Sequence, residues 1–157
     1  MFHAFVFFAL LLTVPHVWLT ALPLIGMAAG VFTHSITTGY KSDEGTITSV
    51  IKSFTGDAEL GVEDNLAVGA TNQHYTLAIT ISQIKAMVLY ASGSVTIKTN
   101  SSSTPQETIS LGAGAQLVWT NDASLGAIPF AGNITGFYVT NTDVKIANFK
   151  ARFLLTV

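Results

Sequence analysis

From Val31 to the C-terminus the sequence is a succession of short segments in which apolar and small polar residues alternate, separated by Gly, Asn, Asp and Ser at close intervals. A residue-by-residue alternation places apolar side chains on one face of an extended chain, and evenly spaced turn residues reverse that chain again and again. Helical periodicity is nearly absent. This constrains the chain to an all-β architecture, an antiparallel β-sandwich or jelly-roll-like module.

The segments can be followed one by one. Thr46–Phe54 opens with Thr-rich alternation between Gly45 and Gly56 and reads as a strand. Tyr75–Ile81 sets Tyr75, Leu77, Ile79 and Ile81 against Thr76, Ala78 and Thr80, the signature of a half-buried strand. Lys85–Tyr90 and Ser94–Asn100 flank the Ser92-Gly93 step, and a hairpin between them is expected. Glu107–Leu111, Ala115–Thr120 and Phe137–Thr140 read as further strands, with Asn100–Pro105 as a polar loop. After a turn at Asn141-Thr142-Asp143, the stretch Lys145–Val157 alternates Phe149, Ala151 and Phe153 against Asn148, Lys150 and Arg152, and ties the terminus into a sheet.

Residues 1–40 contain no Asp, Glu, Lys or Arg; every such residue lies between Lys41 and Arg152. Phe2–Leu12 is almost wholly apolar, and Pro15 and Pro23 interrupt the stretch after it. A signal peptide would open with Lys or Arg, where only His3 stands, although Gly26, Ala28 and Ala29 suit a cleavage region. A retained anchor would carry flanking positive charge, and the nearest is Lys41. The reading adopted is translation from Met27, with residues 1–26 as an apolar leader outside a single domain spanning residues 27–157; membrane contact is expected only if the leader is retained.

Composition narrows function by exclusion. The chain has 157 residues, and 49% of them are apolar against 10% charged, so it is no solvated disordered segment. It lacks cysteine, which removes disulfides, thiolate metal sites and cysteine nucleophiles. Seven basic against nine acidic residues, without a basic cluster, give no electrostatic basis for binding nucleic acid. His3, His16, His34 and His74 are the only histidines, no Gly-x-Ser-x-Gly elbow accompanies them, and no nucleophile, base and orienting group can be assembled; no enzyme activity is expected. Asp57, Glu59, Glu63 and Asp64 form the densest charge cluster, but without the EF-hand spacing they read as a solvated loop, and no metal or other cofactor is expected. His74 reads as an edge residue at a strand start. Thr, Ser and Asn on the outward faces cost less to desolvate than Lys and Glu would, which favours assembly with protein neighbours.

Ile97–Pro105, followed by Ile109–Gly114, Leu117-Val118-Trp119, Pro129-Phe130 and Phe137–Asn141, resembles a pattern in small virion proteins of tailed bacteriophages, as do Gly45–Thr48 and Phe54–Glu59 upstream. The resemblance covers most of residues 27–157 and brings no catalytic residues. It implies a β module on the phage particle: a capsid decoration or cement protein bound to the major capsid protein or another virion protein, with a tail- or fibre-associated component as the next reading. A homo-oligomer such as a trimer is expected. The expected contact positions are Asn100, Ser101, Ser102, Ser103, Thr104 and Pro105, Trp119, and Pro129 and Phe130 within the segment Asp122–Gly132. A competing reading takes the leader at face value and makes the chain a secreted or membrane-tethered carbohydrate-binding domain, with Trp119 or Tyr138 stacking on a sugar.

Overall fold

The computed structural model describes residues 24–41, 47–122 and 126–157, and these fold as two antiparallel sheets packed face to face. The strands are β1 (Leu24–Lys41), β2 (Ile47–Leu66), β3 (Gln73–Ile79), β4 (Ile84–Ala91), β5 (Val95–Thr99), β6 (Thr108–Leu111), β7 (Gln116–Thr120), β8 (Ile134–Asn141) and β9 (Ala147–Leu155). A five-stranded sheet has the order β1-β2-β9-β4-β7, and a four-stranded sheet the order β3-β8-β5-β6. The expected all-β sandwich is the observed fold, and it is jelly-roll-like. Of the expected leader, residues 1–23 lie outside the described residues; Leu24, Ile25 and Gly26 pair with Glu63, Val62 and Gly61, so the sheet includes three residues that precede Met27.

Alternation builds the interior. Met87, Leu89 and Ala91 of β4, Phe149, Ala151 and Phe153 of β9, and Leu60 and Val62 of β2 face Tyr75 and Leu77 of β3, Ile97 of β5 and Phe137 and Val139 of β8; all are buried. Phe137 lies 6.0 Å from Phe153 and 6.3 Å from Phe130, and Tyr75 lies 6.0 Å from Phe149, centroid to centroid. The Phe137–Phe153 and Tyr75–Phe149 contacts cross from one sheet to the other, while Phe130 packs on Phe137 from the loop before β8, and together they fill the space between the layers. The Tyr75 hydroxyl donates to Asp64 Oδ2 at 2.8 Å; burial first, then the neighbouring carboxylate, holds the phenol protonated far above its usual range.

The hairpin expected between the fourth and fifth strands does not form, because β4 and β5 belong to different sheets: β4 pairs with β7 and β9, β5 with β6 and β8. The Ser92-Gly93 step is a corner between layers. Ser92 N–H donates to Asn148 O, Ser94 N–H donates to the Asp143 carboxylate, and a Cβ on Gly93 would press on Ala147 and Asp143. Asn141 secures the same end, its amide donating to Leu66 O, Ala67 O and Lys145 O and its Oδ1 accepting from Asp143 N–H. The acidic stretch read as a solvated loop is instead part of β2. Alternation there points Glu59 and Glu63 outward, where Glu63 meets Lys150 at 2.7 Å and Arg152 at 3.3 Å, while Asp64 turns inward to Tyr75.

The longest departure from expectation is the hairpin of β1 and β2. Only Ala58–Leu66 of β2 pairs with β9; from Gly56 back to Ile47, β2 pairs with β1 alone. This outer half leaves the sheet at a register irregularity between Ala29 and Phe32 on one strand and at Gly56 on the other, where a Cβ would collide with Leu155 O and the Leu154 side chain. It then crosses the outer face of the five-stranded sheet as a two-stranded arm.

Truncating Phe137 or Phe153 to alanine should cost about 3–5 kcal/mol, read as a drop in the denaturant midpoint at unchanged slope. Backbone N–H groups, that of Ser94 foremost, hold the Asp143 carboxyl below its ordinary value of 3.8. Because the folded value is the lower one, the unfolded chain takes up the proton first as pH falls, and stability drops from the ordinary carboxylate range down through the folded value. Asp143→Asn should flatten that part of the stability-versus-pH curve, measured by denaturation between pH values bracketing it.

Candidate functional site

The expected contact segments can be placed individually, and the structure brings two of them to one end of the sandwich. The loop after β5 starts at Asn100, whose φ of 64° lies in the left-handed region that Asn tolerates better than most residues. Its Oδ1 accepts from Thr135 N–H at 2.7 Å and Thr135 Oγ1 at 3.1 Å; its Nδ2 donates to Asn133 O at 2.9 Å and Gln106 Oε1 at 2.7 Å. Glu107 adds a second tie, since Oε1 accepts from Ala131 N–H while Oε2 accepts from Thr99 Oγ1. The loop Asn100–Pro105 and the irregular segment leading into β8 are therefore one stitched surface.

Within the loop, Ser101 Oγ accepts from the N–H groups of Ser103 and Thr104, a turn closed by a hydroxyl. Lys98 Nζ donates to Ser102 O at 2.7 Å. Ser103 and Thr104 are exposed and Asn100, Ser101, Ser102 and Pro105 partly so. The surface offers hydroxyls and amides, with its nearest charges, Lys98 and Glu107, already engaged by the loop itself.

The other expected contacts divide. Phe130 is 3% exposed and packs on Phe137, so it belongs to the core and offers no surface; an apolar residue after a Pro inside a loop carries no periodicity by which its direction could be read. Pro129 is partly exposed beside it. Trp119 packs partly buried against the core and donates Nε1–H to Gly126 O at 3.2 Å, so its ring is committed to the body. Residues 123–125 of the segment Asp122–Gly132 lie outside the described residues. His74 is on edge strand β3, as its sequence context suggested, and its ring stacks on Tyr138 at 4.4 Å and 15°. That stack gives Tyr138 an aromatic neighbour from its own chain on one ring face.

Residues at the opposite end and on the arm were missing from the sequence reading. Val68, Val144 and Ile146 are exposed at 58%, 84% and 64% on the turns that Asn141 holds together. Val31 and Ile51 are exposed on the arm. Turn and strand-end Val and Ile are the signal that could have marked them. Among the described residues no group of three or more His, Asp or Glu side chains converges as a metal site, and no helix is long and apolar enough to cross a membrane.

No protein-family model and no curated protein matches the sequence. Among solved structures, the cupin domain of Schizosaccharomyces pombe Cnp3 is similar at 12% identity with a TM-score of 0.34, covering 77% of this chain and 83% of that one. So loose a likeness carries no argument about what the chain does.

Replacing Asn100 by alanine removes four side-chain hydrogen bonds and places a Cβ residue without local support at positive φ. The Thr135 amide should exchange with solvent at least tenfold faster, on the order of a 1.4 kcal/mol loss of local protection. Asn100→Gly keeps the backbone conformation and should show the same effect at Thr135 with a smaller loss of global stability.

Proposed function

We propose that this chain is a noncatalytic structural protein of a tailed-phage virion, a capsid decoration or cement protein that stabilises the shell by binding across neighbouring subunits. The observation that carries the reading is the use made of its side chains. Tilted aromatic rings occupy the space between the sheets, and Asn100, Glu107, Asn141 and Asp143 direct their hydrogen bonds to backbone groups of their own chain. The outcome is a stiff body whose outward offerings are hydroxyl-rich loops, scattered apolar side chains and, among the described residues, few free charges. Such a surface suits protein-to-protein burial, which adds binding free energy to a particle without any reaction. The placement on a phage particle comes from the sequence resemblance described above. Many copies docked on a lattice let individually weak contacts act together.

The test compares particles assembled with and without the chain. Particles carrying it should release their genome at a higher temperature and survive dilution into low salt, and the chain should copurify with them. Equal heat and salt resistance removes the cement role, and absence of the chain from all purified particles removes the virion role.

A further inference from the structure

The arm formed by the outer halves of β1 and β2 is longer than the surface it covers. On its inner side Phe32, His34 and Ile36 alternate with the exposed Val31, Thr33, Ser35 and Thr37. That inner side lies on a row running across the sheet, from Glu59 on β2 through Leu154 on β9 and Ala86 on β4 to Thr120 on β7. Leu154 and Ala86 point away from the sandwich core yet are 0% and 1% exposed. Two polar contacts mark the crossing: His34 Nε2 stands 3.6 Å from Glu59 Oε2 at its start, and Lys52 pairs with Asp122 just past β7 at its finish.

Lengths then decide the point. From β2 to β7 is three strand spacings, about 14 Å, and Lys52, opposite Ile36, has already spanned it. Pairing nevertheless continues through Thr37↔Ile51, Thr38↔Val50, Gly39↔Ser49, Tyr40↔Thr48 and Lys41↔Ile47. Five more pairs are about 17 Å of ribbon running on past the edge strand. A two-stranded ribbon with no third layer is marginal in water. The seating is also loose, for a cleft of about 380 Å³ opens between the arm and Ala86, Val88 and Arg152.

We propose that the arm is exchanged between copies of this chain, each arm lying on the outer sheet face of a neighbour. The occupant is argued from complementarity. Among the described residues, the surface shaped and charged to receive this arm is the outer face of this chain's own five-stranded sheet, with Glu59 and Asp122 at the two ends of the track, and every other copy presents the same face. The exits at Ala29/Phe32 and at Gly56 lie at one level on both strands, so the arm can swing as a unit without breaking the body's pairing. Exchange preserves every arm contact while joining two bodies, a low-cost route to assembly. This inference names the partner within the structural role proposed for the chain and rests on it.

The experiment mixes isotope-labelled and unlabelled full-length chain in equal amounts, refolds them together from denaturant, and applies a zero-length carbodiimide that joins amines to touching carboxylates. Peptides linking Lys52 to Asp122 are then read by mass spectrometry. The Lys150–Glu63 pair, within one body at 2.7 Å, is the internal control and should link only within one isotope. With complete exchange, about half of the Lys52–Asp122 links should join labelled to unlabelled peptide. Links confined to one isotope, whether the chain is monomeric or assembled by light scattering, overturn the exchange. Particle association is read separately: a chain that copurifies with particles but gives no mixed links refutes the exchange alone, and one that gives mixed links but is found in no particle refutes the virion role alone.

Discussion

The packing of two inner sheet faces against each other is the constraint on which the rest of this molecule depends. Phe137, Phe149, Phe153 and Tyr75 meet between the layers at tilted angles, and each belongs to a strand whose alternate residues point the other way. Once those rings interlock, strand register is set, since a one-residue slip would turn every one of them to the outside. The ends of the sandwich are then closed by polar side chains that satisfy backbone groups left over where strands stop. Asn100 does this at one end and Asn141 at the other, each binding segments distant in sequence.

A second consequence concerns the outside of the five-stranded sheet. Its outward positions are mixed: Lys150 and Arg152 of β9 each pair with Glu63 of β2, whereas Leu154, further along β9, and Ala86 beside it on β4 are apolar. Apolar outward positions need cover, and the arm of the first hairpin lies over them, a seat that the arm of a second copy fills equally well. The sandwich thereby acquires a partial third layer, tied by His34 to Glu59 and by Lys52 to Asp122. Ion pairs this exposed contribute little to stability, so the cover is held chiefly by burial.

How much of this was legible depended on whether one local pattern or two competing ones were present. Tyr75–Ile81 and Phe149–Phe153 alternate without interruption, and both lie on strands with inward residues as anticipated, except that the first strand stops at Ile79 and Ile81 opens a short 3-10 turn. In β2 the alternation of Ala58, Leu60 and Val62 is equally regular, but Asp57, Glu59, Glu63 and Asp64 interleave it, and charge density read as loop. The corner at Ser92-Gly93 has the composition of a hairpin turn; what makes it a corner is Asp143, far along the chain, capturing Ser94 N–H. Phe130 shows the same limit, for its burial depends on Phe137 across a loop. The polar loop Asn100–Pro105 was readable from composition, while its attachment to Asn133 and Thr135 was not, because side-chain to backbone bonds leave no periodic trace. The proposed phage role rests on likeness of sequence, and elementary physical chemistry alone stops at a β module whose lightly charged outward faces favour assembly.

The account stands or falls on whether this body works by contact with neighbours. A reconstruction of the purified particle at a resolution that separates strands addresses that directly. The account places a two-sheet body of this shape on the shell, spanning joints between adjacent subunits, with its loops or exposed turns at the contact. Density for every shell and tail component with none left for this fold, in particles from cells that make the chain in quantity, would contradict it.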